Sequence, residues 1–169
     1  YQWSKWQQPV DRSEWHMPAH LVNAYYDPQQ NQIVFPAAIL QAPFYDLSQS
    51  SSANYGGIGA VIAHEISHAF DTNGAAFDEF GSLNNWWTDA DFKAFKQRTD
   101  QVVAQFDGLE SYGAKVNGKL TVSENVADLG GLAAALAAAK LDDDFSARAF
   151  FESWATIWRM KARPEYMQL

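Results

Sequence analysis

The chain of 169 residues has no cysteine. Disulfides are therefore excluded, and any metal must be held by histidine or carboxylate rather than thiolate. The missing cysteine does not fix the compartment. Basic residues are also sparse: 12 Lys and Arg face 20 Asp and Glu, for a net charge of −8, and no basic patch is present. That balance argues against a nucleic-acid partner. There is no long uncharged apolar run, so no segment is built to span a membrane, and no direct membrane contact is expected from this segment. No internal repeat and no domain boundary stand out. What is plentiful is apolar material, 47% hydrophobic and 15% aromatic. That suffices for one real core, and residues 1–169 read as one domain. The chain opens at Tyr1 without an initiator Met or signal peptide and stops after "RPEYMQL". It reads as a piece of a longer protein.

The most informative stretch is "VIAHEISHAFDTNG", Val61 to Gly74. Its pattern predicts one helix from about Gly57 to Asp71, with Gly74 just past its end as a stop signal. At about 100° per residue, Ile58, Ile62, Ile66 and Ala69 fall on one side. His64, His68 and Asp71 fall on another, with Glu65 at the flank and Gly57, Ala60 and Val61 on the same stripe. A helix apolar nearly all round is usually buried. Buried ionisable groups are costly unless something satisfies them. Two core histidines bonded to backbone carbonyls would be one solution. A metal is the other, and the i, i+4 spacing with a glutamate between favours it. His64 and His68 are neighbours on the helix surface and can place two imidazole nitrogens on one zinc ion, while Glu65 reaches the side of a water.

The rest of the chain supplies a frame. "LVNAYY", "DPQQ" and "NQIVFP" read as strand, turn, strand. "AAILQAPFYD" is a short helix or loop, broken by Pro43. "SQSSSANYGG" is a polar lead into the metal helix, and "FDEFGSLNNWW" is a loop. "TDADFKAFKQRTDQVVAQFDGLE" is an amphipathic helix with Thr88 as its N-cap. Asn117-Gly118 signals a tight turn. "ENVADLGGLAAALAAAKL" is helical, its Ala-rich run suited to close helix packing. Asp142, Asp143 and Asp144 make a solvated turn before a last helix, "FSARAFFESWATIWRMKAR". The expected class is mainly α with a small β-sheet.

H-E-x-x-H needs a third protein ligand. A third histidine at metzincin spacing is absent. His16 and His20 precede the helix and read as structural or surface residues. Downstream, "SENVADLGG" offers Glu124 and, one turn later, Asp128 on the same face. Glu124 could bind zinc, and Asp128 could accept a hydrogen bond from a ligand histidine, fixing its tautomer. An ordinary acidic first turn of a helix would look the same.

"VNAYYDPQQNQIVFPAAILQAPFYD", "NYGGIGAVIAHEISHAFD" and "SENVADLGG" resemble, in order and spacing, the catalytic domain of the neprilysin family of zinc endopeptidases. "FFESWATIWRMKARPEY" resembles that family's following helix. The resemblance implies an α+β, thermolysin-like gluzincin catalytic domain. It looks like a bacterial member, because the vertebrate enzymes carry disulfide-forming cysteines. For such a member the cell envelope, periplasm or exterior is expected over the cytoplasm. The family's third zinc ligand falls on Glu124, its supporting and catalytic aspartate on Asp128, and another acidic position beside the metal helix on Asp71. Asn23 and Ala24 match residues that bind substrate backbone by strand addition. Ile39, Phe44, Val61, Ile157 and Trp158 match the apolar pocket for the side chain after the scissile bond; read without the resemblance, they are core residues. Family members continue into a segment with a transition-state histidine and a substrate-gripping arginine, and they carry a large helical domain. None of these lies within the 169 residues.

The implied activity is hydrolysis of short peptides on the amino side of large hydrophobic residues. One zinc per chain, held by His64, His68 and Glu124, would activate water, with Glu65 as general base. Oligopeptides are the expected partners. Two other readings stay open: a zinc-binding, catalytically inactive peptide-binding module, and a fold stabilised by structural zinc. Structural zinc sites are closed by four protein ligands, and only three good candidates are found here.

Overall fold

A computed structural model describes residues 3–163 and 165–166. It is mainly α with small antiparallel hairpins, as expected. Strands β1 (Tyr25–Asp27) and β2 (Gln32–Val34) pair with Tyr25 opposite Val34 and Asp27 opposite Gln32. The Asp27 carboxylate closes their turn by accepting from the amides of Gln29 and Gln30, an Asx turn. β1 has β2 on one side, and among the described residues no strand pairs with its other edge.

The metal helix starts earlier than the sequence suggested. Ser51–Asn54 is already helical (α1), capped by the Ser50 hydroxyl, which accepts from the Ala53 amide. Tyr55–Gly59 forms a π-turn, and α2 runs from Ala60 to Ser67, tightening into a 3₁₀ turn at His68–Phe70. A neighbouring loop explains the π-turn. The Phe44 carbonyl reaches in to accept from the Ile58 amide at 2.7 Å, and Gly57 leaves helical geometry to admit it. A Cβ on Gly57 would meet that carbonyl oxygen at 2.3 Å, so only glycine fits there.

Helix α3 spans Asp89–Phe106 with Thr88 as its N-cap, as the sequence indicated. Strands β3 (Glu110–Ser111) and β4 (Ala114–Lys115) follow, then α4 (Gly118–Ala139) and α5 (Ala147–Ile157). The expected tight turn at Asn117-Gly118 is instead the start of α4, where the Asn117 carboxamide oxygen accepts from the Lys119 and Leu120 amides. The hairpin turn lies at Tyr112-Gly113, both at positive φ (49° and 80°), the pairing that a two-residue loop requires. Helix α5 ends at Ile157 rather than continuing to Arg163. Phe150 and Ile157 are its buried residues, and beyond them Met160 is exposed, so no further apolar stripe holds another turn against the core.

Two apolar clusters flank α2. One gathers Ala24, Ile39, Ile58, Val61 and Ile157 with Phe44 packed on it. The other gathers Ala60, Ala135, Ala139 and Phe150. Helix α4 approaches through a four-residue repeat of small buried residues, Ala127, Gly131, Ala135 and Ala139. The Ala-rich run is thus a close-packing surface. The sequence pattern predicts a helix buried nearly all round, whereas only part of α2 is covered. Ala60, Val61 and Glu65 are buried, while Ile62 is 37% and Ile66 49% exposed. The helix is apolar on more than one side, and small residues of α4 admit the closest approach on the side bearing the histidines.

Candidate metal centre

His64 and His68 stand one turn apart, His64 on α2 and His68 at the start of the following 3₁₀ turn, their rings nearly perpendicular with centroids 4.5 Å apart. Each ring is held from behind. His64 Nδ1 donates to Asp128 Oδ1 at 2.8 Å, and His68 Nδ1 donates to Asp71 Oδ2 at 2.6 Å. With both Nδ1 atoms occupied as donors, both Nε2 lone pairs face the same point, only 2.9 Å apart. Two lone pairs at that distance repel unless a cation lies between them, either a proton or a metal.

A candidate third donor comes from α4. Glu124 Oε2 lies 3.4 Å from His64 Nε2 and 3.6 Å from His68 Nε2. Tetrahedral ligand atoms about 2.0–2.1 Å from zinc stand about 3.3–3.4 Å from each other. The three separations of 2.9, 3.4 and 3.6 Å bracket that edge, so the donor set fits a zinc ion. The ligand atoms of His64, Glu65 and His68 also lie within 4.8 Å of one another. Glu124 is the better candidate for a third ligand than Glu65, because its oxygen stands 3.4 and 3.6 Å from the two Nε2 atoms, near the tetrahedral spacing.

Electrostatics follow from this crowding. Burial alone would depress the His64 pKa, but the Asp128 and Glu124 carboxylates outweigh it and raise it to about 10. His68 is likewise raised, burial being overcome chiefly by Asp71. Burial lifts Glu65 above the ordinary carboxylate range despite the two imidazoles beside it. Glu65 is 5% exposed, so it is sheltered from bulk water. Burial would also raise Asp71, yet hydrogen bonds from His68, Ser123, Gly74 and Asn73 hold it low.

A cleft of roughly 390 Å³ opens over these groups. It is lined by Asn23, Ala24, Tyr25 and Tyr26, at and just before the start of the first hairpin, and by His64, Glu65, His68, Asp71 and Glu124. Strand β1 therefore borders the candidate site through Tyr25 and Tyr26. The structure brings together Asn23, Ala24, His64, Glu65, His68, Asp71 and Glu124 around this cleft, with Asp128 behind His64. Ile39, Val61 and Ile157 do not line it; they are buried in the cluster beneath, with Phe44 packed against them and Ala24 shared between cluster and cleft. Trp158 caps the end of α5 and is 52% exposed. His16 is on the surface, its Nε2 3.1 Å from Asp27 Oδ2, and His20 is exposed.

The sequence of peptidase family M13 matches residues 23–169, which include every donor of the site. This chain belongs to family M13, the neprilysin family. Among the relatives of this M13 chain, a neutral endopeptidase of Lactococcus lactis subsp. cremoris is 62% identical over 98% of the chain. The PepO structure from Lactobacillus rhamnosis HN001 is 55% identical over 92% of the chain, with a TM-score of 0.86. The zinc metalloprotease Zmp1 of Mycobacterium tuberculosis is 45% identical over 95% of the chain, with a TM-score of 0.88. The M13 chain spans about a quarter of these relatives' length: 26%, 25% and 27% respectively. Among its described residues no helix is long and apolar enough to cross a membrane.

Sequence reasoning passed over Ser123, which lines the cleft and donates to Asp71. The only signal available was its place directly before Glu124. It also passed over the Asx turn in "DTNG", where Asp71 Oδ1 accepts from the Asn73 and Gly74 amides at 2.7 and 2.8 Å.

Proposed function

We propose that this M13 chain forms the zinc-bearing part of a metalloendopeptidase that cleaves peptides on the amino side of large hydrophobic residues. The observation that carries the reading is the convergence of His64, His68 and Glu124 within 2.9–3.6 Å beside the buried Glu65. Those three residues would hold one zinc ion per chain, and Asp128 and Asp71 would keep both imidazoles in the tautomer that offers Nε2. Zinc supplies a Lewis acid that acidifies water and polarises a carbonyl.

Glu65 takes a proton from the attacking water and returns it to the leaving nitrogen. Its sheltered position and raised pKa suit a group that must both accept and release a proton. Asn23 and Ala24 stand where an extended peptide would add to the free edge of β1, the Asn23 carboxamide and the Ala24 carbonyl meeting its backbone. That alignment would fix the scissile carbonyl above the site. Ile39, Phe44, Val61, Ile157 and Trp158 match the family's apolar pocket, and that match, rather than the lining of the cleft, carries the preference for a large hydrophobic residue after the scissile bond; Ala24 alone joins the cleft to the cluster of Ile39, Val61 and Ile157.

The test separates ligand from base. In the protein as its host produces it, Glu65→Gln keeps its zinc and loses peptide hydrolysis by about 10²- to 10⁴-fold, or roughly 3–5 kcal/mol in barrier. A fluorogenic peptide and elemental analysis on the same samples measure both. Near wild-type cleavage by this variant would remove Glu65 from the mechanism.

A further inference from the structure

The two histidines are braced differently. His64 leans directly on α4 through Asp128. His68 leans on Asp71, which follows it in the same stretch of chain, so that bond alone does not tie His68 to α4. The link is completed by Ser123. Its hydroxyl donates to Asp71 Oδ2, the same oxygen that accepts from His68 Nδ1. Asn73 Nδ2 donates to the Ser123 oxygen at 3.3 Å, which leaves the hydroxyl proton to point at the carboxylate. Asp71 thus receives four donors, two on each oxygen, and is 2% exposed, so no water is at hand to replace one that is lost.

We infer that Ser123 is a positioning residue that ties the Glu124-bearing turn of α4 to His68 through Asp71, thereby setting zinc affinity. The inference rests on the zinc reading of the site. Glu124 needs such a tether. Its side chain is 67% exposed, and its carboxylate oxygen has only the two imidazoles as ion-pair partners among the described residues. Ser123 is adjacent in the chain and fixes the backbone from which Glu124 projects. Removing the hydroxyl leaves Asp71 Oδ2 to His68 alone and frees that turn of α4. The ligand from α4 and the ligand from the metal helix then lose their common reference. Partners of this kind behind a metal ligand typically contribute about 10- to 100-fold in metal affinity.

The experiment is a zinc competition titration against a chromophoric chelator, at a temperature where the metal-free variants are folded. Wild type, Ser123→Ala, Ser123→Thr, Asp71→Ala and the double variant Ser123→Ala/Asp71→Ala are compared. Ser123→Ala is expected to weaken zinc binding by about 10- to 100-fold, Ser123→Thr to restore it by keeping the hydroxyl, and the double variant to bind no worse than Asp71→Ala. Unchanged affinity in Ser123→Ala overturns the inference. So does an undiminished loss in the Asp71→Ala background, which would place the effect in helix packing. A wild-type protein that binds no zinc would instead overturn the zinc reading, and this inference with it.

Discussion

Gly131→Ala is the substitution that most directly probes how α4 and α2 build the site. A Cβ at position 131 would sit 2.5 Å from the His64 amide nitrogen, 2.7 Å from the His64 Cα and 2.9 Å from the Ala63 carbonyl carbon. All three are backbone atoms of the metal helix, so no side chain can rotate away. Relaxed contacts lie at about 3.5–4.0 Å, so α4 must retreat by about 1 Å. Glu124 and Asp128 ride on the same helix and retreat with it. Metal sites hold their distances to within about 0.2 Å, so the displacement is roughly five times the tolerance. Stability moves less. Alanine gains about 1 kcal/mol over glycine in helix propensity, against about 1–3 kcal/mol for overpacking. The net cost is then about 0–2 kcal/mol, while zinc binding should weaken by at least 10-fold and hydrolysis by about 10²-fold. Calorimetry of the metal-free protein and a chelator competition titration separate the two effects. Gly130→Ala is the control. Its Cβ would meet only the Ser67 side chain, with Oγ at 3.1 Å, and a shift of a few tenths of an ångström relieves it. Wild-type zinc affinity in Gly131→Ala would refute the claim that this close approach sets the ligand geometry.

Two further outcomes are expected. Asp128→Ala removes the acceptor of His64 Nδ1 and should lower zinc affinity or activity by about 10- to 100-fold, measured by the same titration, without abolishing binding. Peptides with Phe, Leu or Ile after the scissile bond should be cleaved about 10- to 100-fold better than those with Ala, Asp or Lys, because burying such a side chain is worth roughly 1.5–3 kcal/mol. Preferred cleavage before Asp or Lys in a matched fluorogenic series would contradict the apolar pocket.

The helical motif was legible because its spacing is chemistry: His64 and His68 at i and i+4, with Glu65 between, have few other reasons to sit among apolar residues. The pairing of His64 with Glu124 and Asp128 joins residues about sixty positions apart, and no local pattern encodes that. Helical spacing permitted both roles, and only the family resemblance singled them out. Asn117-Gly118 misled because asparagine serves two purposes with one side chain: it favours tight turns, and it caps helices, as it does here toward the Lys119 and Leu120 amides. The serine-rich stretch reads as a polar lead into a helix beginning at about Gly57, yet Ser50 acts as an N-cap and the helix starts at Ser51. Ile62 and Ile66 are expected to be buried because the helix is apolar nearly all round, yet both are exposed. Which face of an apolar helix is covered depends on its partner, and the small residues of α4 select the one bearing the histidines.

Zinc held by His64, His68 and Glu124 is the central claim, and metal content is its most direct measurement. The protein is purified without added metal, and its zinc is measured before chelation, after chelation and after zinc is restored and the excess dialysed away. One equivalent per chain is expected, removed by the chelator and regained on addition. His64→Ala or Glu124→Ala, each leaving two donors, should fail to regain it. Well under one equivalent in the wild-type protein, unrecovered on adding zinc, would contradict the account.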